Sequence, residues 1–216
     1  MSDKRYKIIY EDEALIVIDK PSGMLTIPTP KKESNTLSSL INRELDERGI
    51  GINAYPCHRL DRDTSGLIIY AKGKSMQGVM MEEFRTRNVK KVYTAFVQGA
   101  LKNDSDTIRI DIYDRNKRRE ETAVTKYRVV ARKKGFTVVE VEPVTGRTNQ
   151  IRIHFKEIGH PLVGERIYAF RRDFELKFRR TALHAGFISF LHPVTKERMQ
   201  FISPLPADMD KLSRSK

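Results

Sequence analysis

The sequence predicts an α+β fold, and three observations carry that reading. Strand-length apolar runs outnumber helical stripes. Several neighbouring runs are split by short turn signals, as antiparallel strands are. No regular alternation of strand and helix runs along the chain. With 216 residues the chain is long enough for one large domain or two small lobes, and it can bury a core without disulfide or metal staples.

The elements follow in order. YKIIY opens the chain at 6–10, and ALIVIDK at 14–20 is a near-continuous apolar run of strand length, closed by Pro21-Ser22-Gly23. Pro28 and Pro30 mark a loop. Leu37, Leu40, Ile41 and Leu45 recur at helical spacing, with Ser34 or Asn35 as candidate caps and Gly49 as the stop. GLIIYA at 66–71 reads as a buried strand, Met76, Val79, Met80 and Phe84 as a second helix, and VYTAFVQG at 92–99 as a further strand. Ile108, Ile110 and Ile112 alternate with Arg109, Asp111 and Tyr113, the pattern of a half-buried strand. VTKYRVV and FTVVEVE follow, divided by a basic turn over Arg132-Lys133-Lys134-Gly135. TNQIRIHFKEIG fits a strand through Ile151, Ile153 and Phe155 and a helix through Ile151, Phe155 and Ile158; its length and Gly159 favour the helix. A basic segment, FRRDFELKFRR at 170–180, precedes two strands near 183–191 and 198–203 and a short tail.

Charge supplies the first functional clue. Forty-one Lys and Arg against 28 Asp and Glu give a net +13, spread over much of the chain. A polyanionic partner such as nucleic acid rewards such an excess, although a basic surface can also be merely solvated. No apolar run approaches the ~20 residues of a membrane helix, and the amino terminus lacks an apolar signal core, so the expectation is a cytoplasmic protein without a membrane partner. One cysteine excludes a disulfide framework and the multi-cysteine zinc motifs. Five histidines are present, none paired at HxH or HxxxH spacing, so no metal site is expected.

Two clusters could carry chemistry. Cys57-His58-Arg59-Leu60-Asp61-Arg62-Asp63-Thr64-Ser65-Gly66 lies before the buried strand GLIIYA, as a polar loop on rigid structure. Its carboxylates could serve a reaction or simply bond local amides. Pro143-Val144-Thr145-Gly146-Arg147-Thr148-Asn149-Gln150 joins a strand to the expected helix. There the helix start and Arg147 favour an anion, with ordinary capping by Thr148 or Asn149 as the alternative. In Lys90-Lys91-Val92-Tyr93 a tyrosine amid cations could stack on a base or be half-buried core. Asp61 with Asp63 could form a glycosidase pair, but the chain has no Trp for a sugar platform.

Taken together, these motifs resemble the RluA family of RNA pseudouridine synthases. The resemblance rests on IIYEDEALIVIDKPSGMLTIP at 8–28, HRLDRDTSGLI at 58–68, KVYTAFVQG at 91–99, TGRTNQIRIH at 145–154, and the closing GHPLVGERIY and LHAGFISFLHP. It runs from about Tyr6 to Pro206. It implies one catalytic domain over 1–216, without an appended RNA-binding module, built on a long, mostly antiparallel mixed sheet flanked by helices, with a central active-site cleft. It implies isomerisation of uridine to pseudouridine in ribosomal or transfer RNA stem-loops, with no cofactor or metal and no obligate protein partner, by a monomer. Asp61 would be the catalytic carboxylate, and Arg147 would pair with it. Tyr93 would stack on the uracil, Ile151 would close the pocket beneath it, and Arg59 would fill the gap left by the flipped base. Three positions depart from the family pattern: Asn149 stands for His, Glu165 for Asp, and Ala169 for Gly. The basic segment 170–180 is expected to be a flap on the RNA backbone, with Arg115 to Arg119 as the alternative footprint if that segment does not touch RNA. The competing readings are a catalytically silent RNA-binding protein of the same fold, and a glycosidase or nucleosidase.

Overall fold

The structure, a computed structural model, describes residues 5–31, 33–114, 117–169, 176 and 178–214. Ten strands and four helices are present among them, and all the strand pairings detailed below are antiparallel, which bears out the α+β class. The chain divides into two compact units, Met1–Lys90 with Ala185–Ser203 and Lys91–His184 with Pro204–Lys216.

In the first unit β1 (Lys7–Glu11) pairs with β2 (Leu15–Lys20), and β2 with β4 (Ser65–Lys72). β2 and β4 are apolar over most of their length, through Leu15–Ile18 and Leu67–Ala71, because both of their faces are covered. The short β3 (Ala54–Pro56) also pairs with β4. At three residues it is too brief to leave a periodic trace. β9 (Leu183–Leu191), whose run from Ala185 belongs here, lies beside β4 and pairs with β10 (Arg198–Ile202). Gly66 shows why the sequence needs a glycine there: an added Cβ would lie 2.3 Å from the Ala185 carbonyl oxygen. Helix α1 (Leu37–Glu47) buries Leu37, Ile41 and Leu45. Its cap is Thr36, not Ser34 or Asn35. The Thr36 hydroxyl accepts from the Ser39 amide, and Ser39 reciprocates, a capping box closed by Ser in place of the usual Glu. α2 (Lys74–Arg85) packs Met76, Met80 and Phe84 onto a core of Leu15, Val17, Leu67, Ile69 and Phe190.

In the second unit the order is β5 (Lys90–Gln98), β8 (Phe136–Pro143), β7 (Arg119–Lys133), β6 (Ser105–Asp114). β7 is longer than VTKYRVV. Its charged first residues pair one for one with β6, so the ladder holds where the hydrophobic pattern gives no signal. The turn after it is only Lys134-Gly135; Arg132 and Lys133 remain in the strand. α3 (Gln150–Glu157) resolves the ambiguous stretch as a helix, burying Ile151 and Phe155. α4 (Ala207–Ser213), absent from the sequence reading, drops Met209 into a core with Phe96, Phe136, Val138, Val163 and Ala182.

Most of the expected basic flap, residues 170–175 and 177, lies outside the described residues. Its carboxyl end is not a flap. Leu176 and Phe178 pack against the Met209 core. Arg180 is buried, donating from Nε and Nη2 to Asp208 at 2.7 and 3.0 Å and from Nη1 to the Thr181 and Leu183 carbonyls. A long run of cations hid an arginine whose partner lies 28 residues away.

Candidate active site

Asp61 and Arg59 stand on the first unit; Tyr93, Arg147 and Ile151 stand on the second.

Asp61 is half-buried in the loop between β3 and β4, and its neighbours are tied down one by one. Cys57 donates its amide to the Ile69 carbonyl at 2.9 Å, and Ile69 donates back to His58 Nε2 at 3.1 Å. That bond makes Nε2 the unprotonated nitrogen of a neutral ring, and the ring packs on Phe84 at 4.8 Å. Leu60, immediately before Asp61, has both backbone groups bonded to one buried hydroxyl: Thr26 Oγ1 donates to its carbonyl at 2.9 Å and accepts from its amide at 3.2 Å. Arg62, immediately after, has a carbonyl that accepts from the Gly23 amide at 2.8 Å and from Lys20 Nζ at 3.2 Å. Thr64 closes the turn by donating its amide to the Asp61 carbonyl at 3.1 Å. The backbone at Asp61 is therefore preorganised, while Arg59 and Arg62 are exposed and available to a ligand.

Lys20 was not singled out in the sequence. It is fully buried, and its ammonium also donates to the Pro21 and Met24 carbonyls at 2.9 and 2.8 Å. Its signal is a lysine ending a strand that opens with four apolar residues. Thr26 left none.

On the second unit Tyr93 is a buried member of β5, opposite Val141 of β8. Lys91, two residues earlier and so on the same face, has its ammonium pKa lowered by burial. Its Nζ lies beside Gly146, 4.0 Å from where a Cβ would stand. The turn 145–149 is locked by Gln150, whose buried side chain uses both ends. Oε1 accepts from the Thr145 hydroxyl at 2.6 Å and the Arg147 amide at 3.0 Å; Nε2 donates to the Val124 carbonyl and Thr125 hydroxyl, both at 2.9 Å. Gln150 thus fixes Arg147 at its backbone. The Arg147 guanidinium is half-buried, donates from Nη2 to Glu121 at 2.8 Å, and has an Nε that is buried without a hydrogen-bond partner. Ile151 is buried one residue into α3.

Two of the departures from the family pattern meet at one side chain. Arg152 donates from Nε and Nη2 to Glu165, both at 2.7 Å, and from Nη1 to Asn149 Oδ1 at 3.1 Å. Asn149 Nδ2 donates to the Tyr168 hydroxyl at 2.8 Å, and the guanidinium lies 5.2 Å from the Tyr168 ring centre. Burial raises the Glu165 carboxyl pKa, but the Arg152 bonds and the Ile167 and Arg166 amides outweigh it and leave the net value lowered. Nothing in the structure explains Ala169. Among the described residues no group of three His, Cys, Asp or Glu side chains could hold a metal ion, and no helix is long and apolar enough to cross a membrane.

Comparison with known proteins matches residues 14–157 to the family described as RNA pseudouridylate synthase. The chain is 36% identical over 204 residues to the dual-specificity RNA pseudouridine synthase RluA of Haemophilus influenzae, covering 90% of each protein. It is 34% identical to ribosomal large subunit pseudouridine synthase D of Pseudomonas aeruginosa, covering 95% of this chain and 70% of that one. The fold is similar to that of human RNA pseudouridylate synthase domain containing 4, with a TM-score of 0.80 and 23% identity over 94% of this chain and 90% of that one.

Proposed function

This chain belongs to the RNA pseudouridylate synthase family, isomerases that convert uridine in RNA to pseudouridine, and we propose that Asp61 is the carboxylate that carries the reaction. In this isomerisation the bond from uracil N1 to ribose C1′ breaks, the base turns, and C5 bonds to C1′. The C5 hydrogen leaves as a proton and N1 ends protonated, so atoms balance with no oxidant and no net addition of water. The observation that carries the assignment is the fixed backbone on both sides of Asp61, at Leu60 and Arg62. A nucleophile or base held in one geometry loses little freedom on reaching the transition state.

The other roles follow the chemistry of each side chain. Flipping a base costs a few kcal/mol, which stacking and phosphate contacts must offset. Tyr93 offers the stacking face and Ile151 an apolar floor. Arg147 supplies a guanidinium to the substrate, and Arg59, exposed beside Asp61, fills the space the base leaves. The substrate is a stem-loop of ribosomal or transfer RNA. The net +13 and a relative named for the large ribosomal subunit support this, and such a substrate would place the chain in the cytoplasm.

Asp61→Asn tests the assignment. It keeps the size and removes the charge, so turnover should fall by several orders of magnitude while RNA affinity is largely kept. Tritium release from RNA labelled at uridine C5, with binding measured in parallel, reads both. Turnover near the wild-type rate in Asp61→Asn would overturn the role, and an inactive wild type that still binds RNA would favour the silent RNA-binding protein.

A further inference from the structure

Glu121, the third residue of β7, gathers three cations. Its Oε1 accepts from Arg119 Nε at 2.7 Å and Lys117 Nζ at 3.1 Å, and its Oε2 accepts from Arg147 Nη2 at 2.8 Å. These donors join the end of the β6–β7 hairpin to the turn that carries Arg147. Resting on the reading of the chain as an RNA-modifying enzyme, we infer that Lys117, Arg119 and Arg147 form a subsite for one phosphodiester of the substrate RNA, and that Glu121 occupies it when RNA is absent.

Three features support an exchange of carboxylate for phosphate. A phosphodiester presents two charged oxygens with the same bidentate match to arginine as the carboxylate it would replace. The free state leaves Arg147 Nε buried and without a partner, a donor that an incoming anion can satisfy. The pairs to Lys117 and Arg119 are exposed on the cation side, at 48% and 68%, so water and salt already weaken them and their loss costs little. Glu121 itself is only 10% exposed, which keeps small solutes from competing freely for its partners. The device would favour an anion able to contact all three cations at once, and so suppress weak binding of unrelated anions.

The test is a salt titration of affinity for a uridine-containing single-stranded RNA oligonucleotide, using the full chain. Glu121→Gln releases the cations without removing them. The slope of log affinity against log salt counts phosphates neutralised, so freeing this one-phosphodiester subsite should steepen it by up to ~0.7 and raise affinity at low salt. Glu120→Gln is the control: the same charge change one residue away, on an exposed side chain of the opposite strand face. It should steepen the slope by far less. Adding Arg119→Ala to Glu121→Gln should take back part of the gain. Equal slopes for Glu121→Gln and Glu120→Gln would overturn the inference, as would a double variant that keeps the whole gain. Inorganic phosphate at constant ionic strength separates the two sources of the anion: an RNA subsite resists millimolar phosphate, and competition there would overturn the assignment to a phosphodiester. Wild-type turnover run alongside keeps the questions apart. An enzyme that makes pseudouridine with an unaltered Glu121→Gln slope refutes only the subsite; an inactive wild type with a steepened variant refutes only the activity.

Discussion

Replacing Lys20 by Met removes a buried cation and keeps an unbranched chain of similar length. The wild-type ammonium is bonded to the carbonyls of Pro21, Met24 and Arg62, and the last of these follows Asp61 directly. Bonds from a charged donor contribute ~1.5–3 kcal/mol each, and an orphaned buried carbonyl costs ~1–3 kcal/mol. Two offsets reduce the sum. Burying the ammonium itself costs several kcal/mol that Met does not incur. Arg62 is exposed and Pro21 and Met24 only half-buried, so their carbonyls can recover water, and the Gly23 amide still reaches the Arg62 carbonyl. The net expectation is a loss of ~2–4 kcal/mol in stability. The rate should suffer more than stability alone explains, because a displacement of ~1 Å at a reacting group can cost ~100-fold. Urea melts measure the first effect. Single-turnover pseudouridine formation, at a temperature where the variant is fully folded, measures the second. Lys20→Met with an unchanged single-turnover rate would show that the ammonium does not position Asp61, however much stability it lost.

Three further outcomes follow from the structure. Tyr93→Phe should bind target RNA nearly as the wild type does, whereas Tyr93→Leu should bind more weakly by ~1–3 kcal/mol; equal affinities in a filter-binding assay would make Tyr93 a core residue only. Glu165→Gln removes the carboxylate that two Arg152 donors share and should cost up to ~3–5 kcal/mol in chemical denaturation. Because the Glu165 carboxyl is lowered in the folded state, its contribution is fully present above the ordinary glutamate value of ~4.3 and is lost as pH falls through the lowered one, so the variant's stability should vary less over that acid limb. An equally steep acid limb would show that Glu165 is not the linked group. Asn149→His and Glu165→Asp together should lose less stability than the two single changes summed, with a coupling of ~0.5–3 kcal/mol; strict additivity in thermal melts would deny their connection through Arg152.

What the sequence discloses depends on whether a residue's partner is local. The strands at 15–20 and 65–72 are legible because burial on both faces writes a near-continuous apolar run. The charged half of β7 is not, since a ladder to β6 needs no particular side chains. Asp61, Arg147 and Tyr93 stand in motifs that mark them as chemistry-bearing. The groups that fix their backbone do not announce themselves: Thr26 reaches Leu60 across 34 positions, Lys20 reaches Arg62 across 42, and Gln150 reaches Val124 across 26. Arg180 shows the reverse error, a cation assigned to an RNA-contacting flap from its charged neighbours while its aspartate lies in α4.

The departures at Asn149 and Glu165 also change meaning once their contacts are known. Asn149 stands at the N-cap position of α3 without a side-chain capping bond, with φ at 55°, a left-handed conformation that asparagine adopts more readily than most residues. From there its amide spans Tyr168 and Arg152. Glu165 is one methylene longer than aspartate, long enough for Oε1 and Oε2 to take two donors of Arg152 while Oε1 still accepts the Arg166 and Ile167 amides at 2.9 Å. The guanidinium is thereby bonded through Nε, Nη1 and Nη2, which is how a buried charge avoids the penalty of isolation. Neither substitution touches the bonds by which Gln150 holds the Arg147 amide. Two positions 16 residues apart in sequence therefore act as one adjustment around Arg152, made on the outer side of the turn while the side that presents Arg147 keeps its own lock.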